Sequence, residues 1–466
     1  MEEKNKKQLI QIAGEDNISF NIEDRLCYSR DITPVSYKWL NIYRKPPYLC
    51  DCVFRPLTVK QIRDVLEFCN KNGMPATVYG GGSGTVGGVF PLEGGITIDM
   101  SQFNRILNLD EESGLVTVES GMIGDKLEKE LNFAGFTMRH FPQSLKSASV
   151  GGLIATKSVG QFSTKYGGIE NILISLDVML PNGKIISTTK TPRTSTGPDL
   201  KSLFIGSEGI FGIILNATLK IIKIPEIIVF RSYLCSDFYD GINAVREMLQ
   251  SGIQPPVVRL YNKEESGLKF KKLGLNKAGS LLILCFEGKE RIVNAEIAET
   301  EIIYRRNNLE YIGEEIGKMW FEHRYDTKGI MEYNRMTGGI SDAIEISVNW
   351  VDINDLYKEV ISYFKKKQIR FAAHLSHIYQ TGASIYFIFY IKSDSENDAI
   401  ELFHKTWNEV LEITLGHNGS ISHHHGIGII KKEMLKKETG YGYDLISNIK
   451  NLIDPNKILN KGKIVG

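Results

Sequence analysis

The chain has 466 residues, of which 42% are hydrophobic and 24% charged, a size and composition that exclude a disordered chain and imply two domains rather than one core. Lys and Arg number 56 against 55 Asp and Glu, a formal charge of +1, so there is no electrostatic case for a nucleic-acid partner. The charged start, Met1-Glu2-Glu3-Lys4, leads to no signal-peptide core, and no stretch reaches the ~18 apolar residues of a spanning helix, so the expected location is cytoplasmic.

Residues 1–45, with Pro34 and Trp39, read as an N-terminal cover of short helices. Val53-Phe54-Arg55-Pro56 reads as a strand end, and Thr58 to Cys69 alternates at helical spacing behind a Thr cap, stopped by Asn72-Gly73. The strand Ala76 to Tyr79 then runs into Tyr79 to Gly88, where six of the chain's 44 glycines fall. Glycines can take positive φ, so successive N–H groups turn into one concavity that a diphosphate approaches with no Cβ in the way. Gly82-x-Gly84-x-x-Gly87 has dinucleotide-fingerprint spacing, but turn residues Val89 to Gly95 and a strand from Ile96 to Met100 follow instead of the required helix. No Gly-Lys-Ser/Thr closes the run, which excludes a Walker loop.

Val116 to Glu119 is the next strand, Ile123 to Leu131 a helix, and His140 to Ser149 a polar loop before a second glycine element, Gly151 to Thr156. Ile172 to Leu180 and Lys184 to Ser187 form a strand pair about Asn182-Gly183. A short helix from Asp199, a glycine-rich turn and a strand through Ile222 lead to a boundary at Ile224-Pro225-Glu226. Beyond it, strands Ser280 to Cys285, Ala343 to Val348 and Ser384 to Ile391 interleave with helices Asp355 to Lys366 and Glu396 to Thr414, the material of a second α+β domain with an antiparallel sheet. Three consecutive histidines, His423 to His425, precede a final helix from Tyr443 to Ile453. The expected division is a cover at 1–45, a cofactor domain at 46–226, a substrate domain at 227–415 and a C-terminal segment at 416–466.

Gly80-Gly81-Gly82-Ser83-Gly84-Thr85, His140-x-Pro142-x-Ser144, Ser149-Val150-Gly151-Gly152, Phe204 to Gly212 and Asp454 to Ile458 together resemble the PCMH-type FAD domain of the vanillyl-alcohol oxidase family. Within it, Pro192 to Asp199, Val258 to Asn262 and Ser422 to Gly428 are similar to the alkyldihydroxyacetonephosphate synthase branch. The resemblance implies an α+β fold, a two-subdomain FAD domain joined to a substrate (cap) domain on an antiparallel sheet. It implies FAD as cofactor, non-covalent because no histidine stands in the first glycine loop.

By the same resemblance Val78, Tyr79, Gly80, Gly81, Gly82, Ser83 and Gly84 would hold the diphosphate. Gln143, Ser144, Ser147, Ser149, Gly151, Gly152, Thr156, Lys157, Ser158 and Val159 would line the ribityl and isoalloxazine part, with His140 facing the flavin. Glu208, Gly209, Gly212, Ile213 and Ile214 would close the site. Tyr386 would be the acid/base residue, with Arg259 and His423, His424 and His425 beside the phosphorylated substrate and Arg335 a second substrate arginine. The implied reaction exchanges the acyl group of acyl-dihydroxyacetone phosphate for a fatty alcohol at flavin N5, without net redox change, in ether-lipid synthesis. The partners would be a lipid phosphate and a fatty alcohol, with peripheral membrane contact and a homodimer as further expectations.

On the residues themselves, a tyrosine phenol has a pKa near 10, so as a base it needs cationic neighbours, for which Arg259 or a protonated histidine would serve. The planar fork of arginine matches phosphate oxygens. In a strand, His423 and His425 would share a face and His424 point away, which favours a hydrogen-bonded cluster over a metal site, with His374 and His377 the only extra ligands available and no metal expected. The alternative is an FAD-linked oxidase or dehydrogenase of a 2-hydroxy acid or other alcohol. Metal-dependent members of that group carry a carboxylate and a second histidine that are missing around His377 to Tyr386 and His424-His425-Gly426.

Overall fold

The computed structural model describes residues 1–34, 36, 46–326, 339–392 and 396–465, so Trp39 and Arg335 lie outside the described residues. The chain forms two compact units: Met1–Ser158, Gly168–Lys223 and His424–Gly466 make the first, and Val159–Gly167 with Ile224–His423 makes the second. Sequence patterning gives no sign that Val159–Gly167 leaves the first unit, or that the chain changes unit inside the histidine triplet.

The first unit holds two main sheets. In one, Cys52–Phe54, Ile96–Asp99 and Ala76–Tyr79 run parallel, with Ile18–Ser19 antiparallel at the edge. Parallel strands need a crossover, supplied here by the helix Val59–Asn72. Thr58 and Gln61 form a reciprocal capping box at its start, and Gly73 ends it at φ 60°. Its inner face, Ile62, Val65, Leu66, Phe68 and Cys69, is buried with Cys52, Phe54, Ile96, Ile98, Ile458 and Leu459. The other sheet is antiparallel, in the order Ile106–Asp110, Leu115–Glu119, Ile213–Lys220, Leu173–Met179, Ile185–Ser187. Ile106–Asp110, which no sequence reading picked out, is an edge strand with no fully buried residue, so its pattern carries little signal.

The second unit is built on seven antiparallel strands in the order Glu310–Gly313, Ile227–Cys235, Ser280–Gly288, Val257–Tyr261, Arg370–Ile378, Gly382–Ile391, Ile340–Asn349. Helices Phe238–Gln250, Lys263–Lys272, Glu290–Arg306, Glu315–His323, Ile353–Lys366 and Glu396–Gly416 accompany it. The fold class is thus α+β throughout. No helix among the described residues is long and apolar enough to cross a membrane.

Candidate active site

In the first unit, the strand Ala76–Tyr79 delivers the chain into the glycine loop. A Cβ added at Gly80 would lie 2.2 Å from Ser149 Oγ, and one at Gly81 would lie 1.6 Å from the Ser147 carbonyl oxygen. The loop backbone therefore lies directly against Ser147 to Ser149, and side chains are excluded there by space. Gly82 sits at φ 61°, the left-handed region that favours glycine.

The other expected cofactor segments meet the same loops. The Ser149 hydroxyl accepts from Gly152 N at 3.2 Å and caps the helix Val150–Ala155. Gly151 lies against Ser120, where a Cβ would come within 2.8 Å. Gly206 N and Glu208 N donate to the carbonyls of Ile154 and Ala155 at 3.0 and 2.8 Å, which ties the Glu208 turn to the end of that helix. Thr156 turns its hydroxyl back onto Gly152 O at 2.9 Å, Lys157 is exposed, and Gln143 and Ser147 are exposed on their loop. Val159 belongs to the second unit, apart from Ser158. Gly212 packs on Val178 as the buried strand residues Ile213 and Ile214 begin.

Glu208 is buried and left-handed at φ 47°; its carboxylate accepts from the backbone N–H groups of Ile427 and Gly428. Burial raises its pKa against those bonds. Asp31, absent from the sequence reading, accepts from Gly87 N at 2.7 Å and Thr33 N at 3.0 Å, and burial pushes it up to about 6. Asn460 bridges two parts of the cradle: its Oδ1 accepts from Val78 N at 3.0 Å and its Nδ2 donates to the Glu208 carbonyl.

Two large buried side chains of this unit, His140 and Lys463, have polar atoms with no hydrogen-bond partner among the described residues. Neither ring nitrogen of His140 is hydrogen-bonded, and burial pushes its pKa down to about 3, so the ring is neutral. The ammonium of Lys463 is likewise unbonded, pushed down to about 7 by burial against the attraction of Glu208 and Asp31. Buried polar atoms are rarely left without partners. A cradle of bare amides with orphaned polar side chains in the same unit fits a bound dinucleotide such as FAD.

In the second unit, four adjacent strands place one polar row across the sheet. Tyr261 pairs with His374, His374 with Tyr386, and Tyr386 with Glu345. Directly opposed residues share a face, and Arg259, two positions before Tyr261, shares it too. Arg259 Nε donates to the Tyr261 hydroxyl at 2.8 Å and its Nη2 to His374 Nε2 at 3.0 Å. His374 Nδ1 meets Glu265 Oε2 at 2.7 Å, and its ring stacks on Tyr386 with centroids 4.8 Å apart and planes 16° from parallel. Burial lowers the His374 pKa, so the ring is neutral, donating a hydrogen bond from Nδ1–H to Glu265 and accepting one from Arg259 at Nε2. Burial would raise Glu265, yet His374, Lys269 and Arg259 hold it down to about 2.

The expectation that cations lower the Tyr386 pKa is not met. Burial raises it strongly, Glu345 raises it further, and Arg259 only offsets part of this, so the side chain rests as a phenol. The triplet departs from expectation as well: it lies in bends, not a strand, and all three residues are only partly buried. His423 N donates to Glu345, its Nε2 pairs with the Tyr379 hydroxyl at 2.7 Å, and its ring stacks on His377 at 5.1 Å. His377 Nδ1 in turn meets Ser163 Oγ at 2.8 Å. His424 and His425 belong to the first unit, with ring centroids 4.5 Å apart. Sequence reading gave Tyr261 no role although it falls in the stretch Val258 to Asn262, and it passed over Glu265 and Glu345, because strand pairing brings Tyr261 and Glu345 into the row and a helix brings Glu265 to it.

Residues 50–189 match the family model of the FAD binding domain, and residues 224–464 that of FAD linked oxidases, C-terminal domain. An uncharacterized FAD-linked oxidoreductase, YgcU, of Escherichia coli (strain K12) is 33% identical over 427 residues, 87% of each chain. The alkyldihydroxyacetonephosphate synthase of Trypanosoma brucei brucei is 29% identical over 501 residues, covering 98% of this chain and 80% of that one. A solved alkyldihydroxyacetonephosphate synthase structure superposes with a TM-score of 0.83 at 25% identity, covering 99% of this chain and 85% of its own.

Proposed function

Since the chain belongs to the FAD-linked oxidases of the PCMH-type fold and is an FAD-dependent enzyme, we propose that it exchanges the acyl group of acyl-dihydroxyacetone phosphate for a fatty alcohol. The observation that carries this reading is the row Arg259, His374, Tyr386 and Glu345, which sets an anion-binding fork and a proton-carrying phenol on one face of one sheet. FAD, held without a covalent bond, supplies the electron sink. Arg259 takes the substrate phosphate through N–H groups that its protein partners leave open. Tyr386 exchanges the proton at C1. Because it rests as a phenol, taking that proton requires its own hydroxyl proton to leave, and Glu345, directly opposite across the ladder, is the carboxylate set to receive it. His423, held through its backbone to Glu345 and through its ring to Tyr379, fixes the chain beside this pair.

A second reading, oxidation of a 2-hydroxy acid or another alcohol, draws on the similarity to the E. coli oxidoreductase and on the readiness of an arginine fork to take a carboxylate. The test is to give purified, FAD-loaded protein the acyl substrate and a long-chain alcohol. Release of fatty acid together with alkyl product is expected. Anaerobic bleaching of the flavin by a D-2-hydroxy acid, with no such exchange, would replace the first reading by the second. Tyr386→Phe removes the exchangeable proton and should cost on the order of 10²- to 10⁴-fold in turnover at unchanged FAD content.

A further inference from the structure

We propose that Glu265 and His374 are positioning residues that hold Arg259 as an oriented anion site, specific for a phosphate headgroup. This rests on Arg259 as the anion anchor of the proposed reaction. Glu265 comes from the helix Lys263–Lys272, whose first turn is fixed by the Asn262 side chain accepting from Glu265 N at 3.0 Å. The position of its carboxylate is therefore set by a helix start, and His374 is set by its strand. The chain of contacts runs in one direction: His374 Nδ1–H donates to the Glu265 carboxylate, which leaves the Nε2 lone pair facing Arg259.

Arg259 has five N–H donors and spends one on the Tyr261 hydroxyl and one on His374, so three have no protein partner among the described residues. Its guanidinium is further held over the Tyr261 and Trp320 rings, each 5.4 Å from the centroid. Lys269 pairs with Glu265 at 3.5 Å and sits 4.2 Å from the Tyr261 ring centroid. With His374 neutral, two cations and one carboxylate leave the cluster one positive charge in excess in a largely buried setting. Such an excess is costly unless an anion completes it. A phosphate monoester, with several oxygens to meet a planar fork and a nearby ammonium, supplies both the charge and the acceptors.

The experiment is calorimetric titration of the FAD-loaded protein with inorganic phosphate, which needs no turnover and so does not depend on the reaction catalysed. Arg259→Ala should abolish binding. His374→Phe keeps a ring to stack on Tyr386 but cannot accept from Arg259, and should weaken binding about 10- to 100-fold, the worth of a hydrogen bond to a charged group. Glu265 separates orientation from charge. Glu265→Ala makes the cluster more positive, so a purely electrostatic role would tighten binding, whereas loss of positioning weakens it. Glu265→Gln keeps an acceptor for the Nδ1 proton and should restore binding at least to the wild-type level. FAD content and thermal midpoint report folding, and His374→Leu, which likewise offers Arg259 no acceptor, stands in if the Phe variant does not fold. Unchanged binding in His374→Phe or its stand-in, or tighter binding in Glu265→Ala, would overturn the positioning role alone. Failure of the wild type to bind phosphate, or unchanged binding in Arg259→Ala, would overturn the anion site itself.

Discussion

At Gly81 the clash a side chain would make is with backbone, not with the far end of a flexible side chain: the Ser147 carbonyl oxygen would lie 1.6 Å from the new Cβ. No rotamer change relieves that, so Gly81→Ala must open the contact between the two cofactor loops. The expected result is loss of FAD on purification, read from the ratio of flavin to protein absorbance. Gly73→Ala is the control. It also sits at positive φ, 60°, but has open space around it, so it should cost about 1 kcal/mol of stability and leave FAD content unchanged. His140 gives a pH prediction. Its folded pKa of about 3 lies below the ordinary 6.5, so between these values the unfolded chain binds the extra proton. Its contribution to stability is complete above pH ~6.5 and is lost as the pH falls toward 3. Asp31, raised to about 6, acts in the opposite sense over part of this range, so the comparison must be wild type against His140→Phe. Urea denaturation of the FAD-free protein should show a shallower acid decline in the variant, and parallel declines would count against a buried neutral imidazole.

Much of the fold was legible element by element because each signal is local. Thr58 and Gln61 announce the start of the helix Val59–Asn72 and Gly73 its end, and the glycine run marks a cradle because bare backbone shows in the sequence itself. The cluster in the second unit is different in kind. His374 lies 109 positions from Glu265 and 115 from Arg259, and only the order of the seven-stranded sheet makes them neighbours. A further step hides His377: strict alternation would put residues 374 and 377 on opposite faces. A register shift between Leu375 and His377 pairs His374 with Tyr386 and His377 with Ser384, so both histidines face the same side. A bulge leaves no reliable mark in one sequence. The same holds for Val159–Gly167, whose place in the second unit rests on such contacts as Ser163 with His377 and Lys165 with the Glu287 carbonyl.

The first unit is made of three separate stretches of chain, and the last of them completes the strand that carries the glycine loop. Ala76 N donates to Ile458 O at 2.7 Å, Asn460 N to Ala76 O at 2.9 Å, and Ile458 and Leu459 are buried in the same core as Cys52 and Ile96. The buried Lys450 ties this segment to both the Ile210 and Leu459 carbonyls, at 2.7 and 2.8 Å. Contacts spanning nearly the whole sequence close late in folding, so the cofactor cradle cannot be finished until the end of the chain is in place. Removing residues 454–466 should therefore abolish FAD uptake even though every residue of the glycine loop remains. Asn460→Ala is the finer probe, because it strips a partner from both Val78 N and the Glu208 carbonyl, about 1–3 kcal/mol for each group left unsatisfied. FAD binds only the folded chain, and at ~100 times its dissociation constant it returns about 2.7 kcal/mol. The variant should thus melt well below wild type without FAD, and saturating FAD should raise its midpoint by no more than it raises that of the wild type. A truncated protein that took up FAD with wild-type affinity would show that the cradle stands without its C-terminal strand neighbour.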